Sequence, residues 1–282
     1  MDHCPIVDAH THVVAEDREA YPLDPRPLSG QWYLDAPASA EDLLREMAAS
    51  GVVQAVLVQG VGAYTYDNRY AADAAVAHPE QFVSACCIDV LAEDAPERLS
   101  YWVEERGMRG IRLFALSREG PSWLVDDRTD RIWERARVLD AHVIVTVLPH
   151  QLDEVDHALG RFPDTPVSLD HCGFALGDPS TRERLFELAR HPNLNLKITT
   201  HNLDEAVRSG EGASSLVGVL FDRFGADRMM WGSDYCQTHD RPYGDLVALA
   251  REAFALLPNA AREACLSGTA RRLWPGLSAA SR

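Results

Sequence analysis

The chain has 282 residues, 46% of them hydrophobic and 25% charged, with a formal net charge of −16. That length holds one large α/β domain or two small ones around a sizeable core, and a chain this acidic is a poor match for nucleic acid or an anionic membrane, though a small acidic substrate feels only local charge. No run of 18 apolar residues occurs and the opening Met1-Asp2-His3-Cys4-Pro5 lacks a basic and apolar leader, so the expectation is a cytoplasmic protein without a membrane span.

Ile6 and Val7 open an apolar run that turns polar at Asp8, His10 and His12. Alternate residues of a strand share a face, so these three are expected to point one way and Val7, Ala9 and Thr11 the other. Two imidazoles and a carboxylate on an inner face are costly to bury without a ligand, a metal or each other. The proline-rich segment 13–37, with Tyr21, Trp32 and Tyr33, has the length of an active-site lid. Ser39 and Asp42 predict a capping box for a helix ending at Gly51, and 52–58 reads as a second strand. Asp67-Asn68 caps a helix that stops at His78-Pro79, and strands follow over 82–90, 110–114, 142–148, 167–171, 194–200 and 228–234. Helices are expected over 94–107, 130–140, 151–161, 181–190, 214–224 and 245–257, with a last one over 259–273.

Eight apolar strands alternating with helices, without linker or repeat, predict a parallel sheet covered on both faces. The count and length are those of an α/β fold of the (β/α)8 TIM-barrel type, one domain over 1–282. An open doubly wound sheet would carry a glycine-rich loop after strand one, where this chain has His-Thr-His.

Barrel chemistry sits at the C-terminal ends of the strands. Those ends supply Asp8, His10 and His12, then Arg112, His171, Lys197 or His201, and Asp234. His10, His12, His171 and Asp234 suit Zn or another divalent ion, or alternatively bind and protonate substrate without metal. Each has a blander reading. His171 could bond a neighbouring loop, Asp234 could cap the next segment, and Arg112 could pair inside with Asp8 or Asp89. Lys197, the only lysine, could be a paired core charge, while His150, His201 and His239 read as loop decoration. Six cysteines (Cys4, Cys86, Cys87, Cys172, Cys236, Cys265) show no CxxC spacing and fit reduced thiols.

Taken together, 8–12 (DAHTH), 110–114 (GIRLF), 169–173 (LDHCG), 231–234 (WGSD) and 268–274 (GTARRLW) resemble the amidohydrolase superfamily, in the branch that contains lactonases and nonoxidative decarboxylases. The Asp-His-x-Gly block, with 58–60 and Asp67-Asn68, is more similar to the lactonase group, typified by pyrone-dicarboxylate and sugar-acid lactonases. Two departures matter. Strand five lacks the histidine ligand that metal-dependent members carry, His150 lying beyond Pro149, and strand four lacks the bridging lysine of binuclear members. The resemblance therefore implies a site with one divalent ion or none.

The reading that follows is a hydrolase opening a small, carboxylated lactone. Asp234 takes a proton from water and returns it to the ring oxygen, while His10, His12 and His171 ligate the ion or polarise the carbonyl. Arg112 grips a carboxylate, with Tyr64, Tyr66, His239, Arg241 and Lys197 as further substrate contacts. The rivals are metal-dependent decarboxylation of an aromatic or unsaturated acid, and a catalytically inactive barrel that senses one. The partner expected is a small carboxylate or lactone, with homo-oligomerisation left open.

Overall fold

A computed structural model describes residues 5–26, 28 and 30–277. Its strands are β1 (Ile6–Thr11), β2 (Val52–Val58), β3 (Phe82–Cys86), β4 (Gly110–Phe114), β5 (His142–Thr146), β6 (Val167–Leu169), β7 (Leu194–Thr199) and β8 (Met229–Gly232). They lie side by side in chain order, each parallel to the next. Thr11 then bridges Tyr235, and the Asp234 amide donates to His10 O at 2.8 Å. Those bonds draw β8 against β1 and make the sheet a nearly closed (β/α)8 barrel.

Helices cover the outside: α1 (Ala40–Ser50), α2 (Arg69–Ala77), α3 (Ala95–Ser100), α4 (Asp130–Val138), α5 (Leu152–Arg161), α6 (Pro179–Glu187), α7 (Thr200–Ser209), α8 (Ala213–Phe224) and α9 (Tyr243–Ala253). The expected Ser39/Asp42 capping box starts α1, and Gly51 ends it at φ 72°. Asn68 does not cap α2 with its side chain. Its amide instead exchanges hydrogen bonds with the Cys87 backbone at 2.7 and 3.0 Å, while Asp67 accepts from the Arg69 amide. Strands three, five and six end earlier than predicted, and α7 occupies a stretch with no predicted element.

The barrel interior is packed with Val7, Ala9, Val56, Val58, Ile144 and Met230. Trp274, fully buried, closes its floor from the C-terminal segment, 4.7 Å ring to ring from His142. Gly110 is required there: a Cβ would stand 2.6 Å from the Trp274 ring and 2.7 Å from His142 O.

One expectation about β1 is overturned. Val7 and Ala9 face the barrel interior, and Asp8 faces away from the imidazoles, bonded to the Ser233 amide (2.9 Å) and the Tyr243 hydroxyl (2.9 Å). The reason is a register shift between Asp8 and Thr11, where three steps on β1 match two on β2. A bulge of this kind reverses side-chain parity. It turns His10 and His12 inward although Asp8, an even-numbered neighbour, points out.

No helix among the described residues is long and apolar enough to cross a membrane. Cys86, Cys87, Cys172, Cys236 and Cys265 are buried free thiols, and Cys4 lies outside the described residues.

Candidate active site

The inward turn of β1 brings His10 and His12 to the end of β8, where Asp234 follows the strand in a left-handed conformation (φ 62°). Gly232 makes room for this approach, since a Cβ there would sit 2.5 Å from His10 Cβ. Asp234 Oδ1 lies 3.2 Å from His12 Nε2 and 3.5 Å from His10 Nε2. His171, in the irregular turn after β6, places its ring 5.0 Å from that of His10. The four residues that strand-end reasoning singled out therefore meet at one mouth of the barrel.

Hydrogen bonding sets the protons on these rings. His12 Nδ1 is 2.8 Å from Val58 O, which can only accept, so Nδ1 carries a hydrogen and Nε2 is the nitrogen that faces Asp234. His10 Nδ1 is 3.1 Å from Asp170 Oδ1, and His171 Nδ1 is 2.8 Å from Thr199 Oγ1. Burial holds His10 well below its ordinary pKa and pushes His171 down to about 4, so both are neutral. Burial works to raise the Asp234 carboxyl and positive charge on the side of the His12, His171 and His10 rings more than offsets it, a charge that neutral rings leave to a cation held among them. With His12 neutral as well, two nitrogen lone pairs and a carboxylate oxygen face one another. Among the described residues His10 Nε2, His12 Nε2 and Asp234 Oδ1 are buried without a hydrogen-bond partner.

Acceptors crowded together in a dry space repel unless a cation lies between them. The ligand atoms of His10, His12 and Asp234 fall within 4.8 Å of one another, as do those of His10, Asp170 and His171. Neutral imidazole and carboxylate are donors that zinc and similar ions accept. The residues fit a divalent ion.

Behind this cluster stands a residue absent from the predicted set. Asp170 is fully buried and accepts from Arg112 Nε (2.9 Å), Thr146 Oγ1 (2.8 Å) and Lys197 Nζ (3.2 Å) besides His10. Burial would raise its carboxyl, but Lys197, His10 and Arg112 hold it well below the usual range. An ionised Asp170 cannot donate, and this is what assigns the Nδ1 hydrogen to His10. The signal was present in Asp170-His171 at a strand end, yet nothing local told which of the two would face which partner. Thr146 stands where the family resemblance led one to look for a histidine on strand five.

Arg112 is paired with Asp170, not with Asp8 or Asp89, and its Nη1 and Nη2 make no hydrogen bond to a described residue. Lys197 is fully buried beneath His10, 3.4 Å from its Nδ1 and 5.7 Å above the Trp274 ring. Tyr64 is buried, its hydroxyl accepting from the Ala15 amide (2.9 Å), in a cluster with Val14, Trp32, Tyr33 and Cys236. Through that cluster the described part of 13–37 packs down beside the site, Trp32 lying 5.4 Å ring to ring from His12. Tyr66 accepts from Arg26 Nη2 (2.6 Å) in a separate surface hollow with Asp67, Arg69 and Tyr101.

A cavity of about 580 Å³ opens over His171 and Asp234, walled by His201, Arg208, Gln237, His239 and Arg241 among others. His201 occupies the first turn of α7, not a loop, and His150 is exposed away from this cavity. Arg241 is already neutralised, donating to both Asp204 oxygens at 2.8 Å and to Asp240 at 3.0 Å.

Comparison with known proteins agrees with this architecture. A family model described as Amidohydrolase matches residues 7–276. L-fucono-1,5-lactonase of Burkholderia ambifaria is 27% identical over 237 residues, covering 81% of this chain and 79% of that one. Among solved structures, a candidate 2-pyrone-4,6-dicarboxylic acid hydrolase from Pseudomonas putida superimposes with a TM-score of 0.76 at 24% identity, covering 96% and 97% of the two chains. An amidohydrolase from Burkholderia multivorans with bound zinc gives 0.76 at 23% identity, covering 95% and 98%.

Proposed function

This chain belongs to the amidohydrolase family and is a hydrolase; on that footing we propose that it opens a small polar lactone by adding water to the ring carbonyl. The observation that carries the reading is the meeting of His10, His12, His171 and Asp234 at one mouth of the barrel, with His171 and Asp234 lining a cavity there. The 27% identity to a sugar lactonase supports the same class of reaction.

His10, His12 and Asp234 would hold one divalent ion, zinc being the first choice, with His171 beside it. Such an ion supplies Lewis acidity toward the carbonyl oxygen. The neutral, Nδ1-protonated imidazoles support this arrangement, because a nitrogen lone pair cannot itself polarise a carbonyl. Asp234 receives a proton from the attacking water as the new C–O bond forms. The same carboxyl then delivers that proton to the ring oxygen as the acyl C–O bond breaks, leaving a hydroxy acid.

Arg112, its Nε held by Asp170 and Thr146, keeps two terminal nitrogens for a substrate carboxylate or carbonyl. Of the wall, His201, Gln237 and His239 offer hydrogen bonds to ring hydroxyls, whereas Arg241 is bound to two aspartates. The wall therefore suits a hydroxylated ring, and Arg208, bonded through Nε to the Asp204 backbone and in no ion pair among the described residues, offers a charge for a carboxylate. Lys197 acts from below through Asp170, and Tyr64 and Tyr66 shape the surrounding segments.

A panel of sugar and carboxylated lactones, followed by acid release with and without a chelator, identifies the substrate. On it Asp234→Asn is expected to lose at least about 100-fold in kcat. Near-parental turnover by that variant ends the proposal, and release of CO2 from an unsaturated acid would install decarboxylation in its place.

A further inference from the structure

The turn that carries His171 is unusual in its backbone. His171, Cys172, Gly173 and Phe174 all lie in the left-handed region, at φ 53°, 52°, 64° and 53°. Only one is glycine, and L-residues avoid that region because Cβ crowds the carbonyl oxygen. A run of this kind persists only where its surroundings over-determine it.

What holds it comes from the next strand and helix. Asn202, fully buried in the first turn of α7, donates from Nδ2 to His171 O at 2.9 Å. Its Oδ1 accepts from the Thr199 amide at 3.0 Å and from the Thr199 hydroxyl at 3.2 Å. The Thr199 hydroxyl has one hydrogen and two acceptors in reach, Asn202 Oδ1 and His171 Nδ1; given to Asn202, it leaves Oγ1 to accept along the 2.8 Å contact from His171 Nδ1. On that assignment the chain of donors runs one way, from imidazole to hydroxyl to amide oxygen. A capping pair that starts a helix, Thr199 and Asn202, also grips both the backbone and the ring of His171.

We infer that Thr199 and Asn202 are positioning residues that lock His171 with its proton on Nδ1, so that Nε2 presents a lone pair to the cavity. Neither touches the cavity floor. They act through His171, as outer partners of a ligating or acceptor imidazole do. The amide and hydroxyl are thus not spent on helix capping alone: position 199 needs a hydroxyl and position 202 an amide. Asp at 202 would still accept from Thr199 but would set an oxygen against His171 O.

The decisive measurement needs no substrate. Proton–nitrogen correlation spectra of the 15N-histidine-labelled full chain, with His171 assigned by its loss in His171→Gln, report which ring nitrogen carries the hydrogen. The expected result is Nδ1–H in the parent protein and a shift toward Nε2–H in Thr199→Val, while Thr199→Ser keeps the parental pattern. The activity arm rests on the lactonase reading. There, Thr199→Val is expected to lose about 10–100-fold in kcat with KM moved less than about threefold, and Thr199→Ser to recover most of it. Asn202→Asp should keep the tautomer yet lose kcat, separating ring from backbone. A parent His171 protonated on Nε2 overturns the inference even if every variant misfolds, as does Thr199→Val with unchanged tautomer and kcat. Failure to find any lactone turned over would strike the proposed reaction and leave the spectra to decide the relay.

Discussion

Replacing Asp170 by asparagine tests the electrostatic frame of the site most directly. Four donors converge on that carboxylate, from Thr146 (2.8 Å), Arg112 (2.9 Å), His10 (3.1 Å) and Lys197 (3.2 Å), all of them buried. Asparagine keeps the shape but removes the charge, orphaning two cations in the barrel. Breaking a buried pair by deleting one partner costs about 3–5 kcal/mol. Lys197 relieves part of that by shedding its proton, since burial already pushes its pKa down. At roughly 2 °C per kcal/mol for a chain of this size, Tm should fall by about 6–10 °C. The new amide also donates toward His10 Nδ1, which moves the His10 hydrogen to Nε2 and against Asp234. Metal affinity should then drop about 10–100-fold. Denaturant midpoints at constant m, with metal content from elemental analysis, measure both effects. In Asp170→Asn/Lys197→Met, where the orphaned ammonium is gone, the two losses should fall short of additive by about 1–3 kcal/mol. An Asp170→Asn protein with parental midpoint and metal content refutes the reasoning, and strict additivity refutes the pairing.

Two further outcomes concern the barrel floor. His142 is buried with Nε2 2.6 Å from Ser168 Oγ, and burial pushes its pKa down to about 3. The unfolded chain therefore takes up the proton first as pH falls. Stability tied to this group is intact above about 6.5 and declines between about 6.5 and 3, by up to roughly 5 kcal/mol, a limb that urea titrations at stepped pH should find flattened in His142→Gln. Trp274→Ala should cost about 3–5 kcal/mol by opening a cavity beneath Lys197. Trp274→Phe should cost clearly less, because the Trp274 Nε1 makes no hydrogen bond to a described residue; equal midpoints for the two variants would count against Trp274 as the floor.

The barrel was legible because its signal is local and repeated. Each strand is a short apolar run, such as Val52–Val58, followed by a segment with helical spacing, and eight repetitions leave little choice of topology. Boundaries were less legible at β6. Its apolar run continues into Asp170-His171, but the left-handed turn there ends the strand at Leu169. Helix α7 escaped because its N-cap, Thr199, sits inside what reads as the tail of a β-branched strand over 194–200. His10, His12, His171 and Asp234 were legible as polar groups at strand ends, a rule of position that needs no partner.

Partners were the part that could not be read. Strand alternation put Asp8 beside the imidazoles, but one register shift in β1 sends it outward to Tyr243, where burial pushes its carboxyl up to about 6. The carboxylate that does back His10 comes from the turn that follows β6, 160 residues away. Which side chains meet across a barrel depends on strand stagger and bulges, and these are summed over all eight strands. A sequence states them nowhere. The same holds for Arg112: a lone arginine on an inner face needs an acid, and only the assembled ring selects Asp170 over Asp8 and Asp89. Since Asp170 also fixes the His10 tautomer, the property that fits the cluster to a cation belongs to the register of the barrel, not to the HxH motif alone. A chain with the same HxH and an uncharged residue at 170 would keep the fold's outline and lose the lone pair that His10 turns toward Asp234.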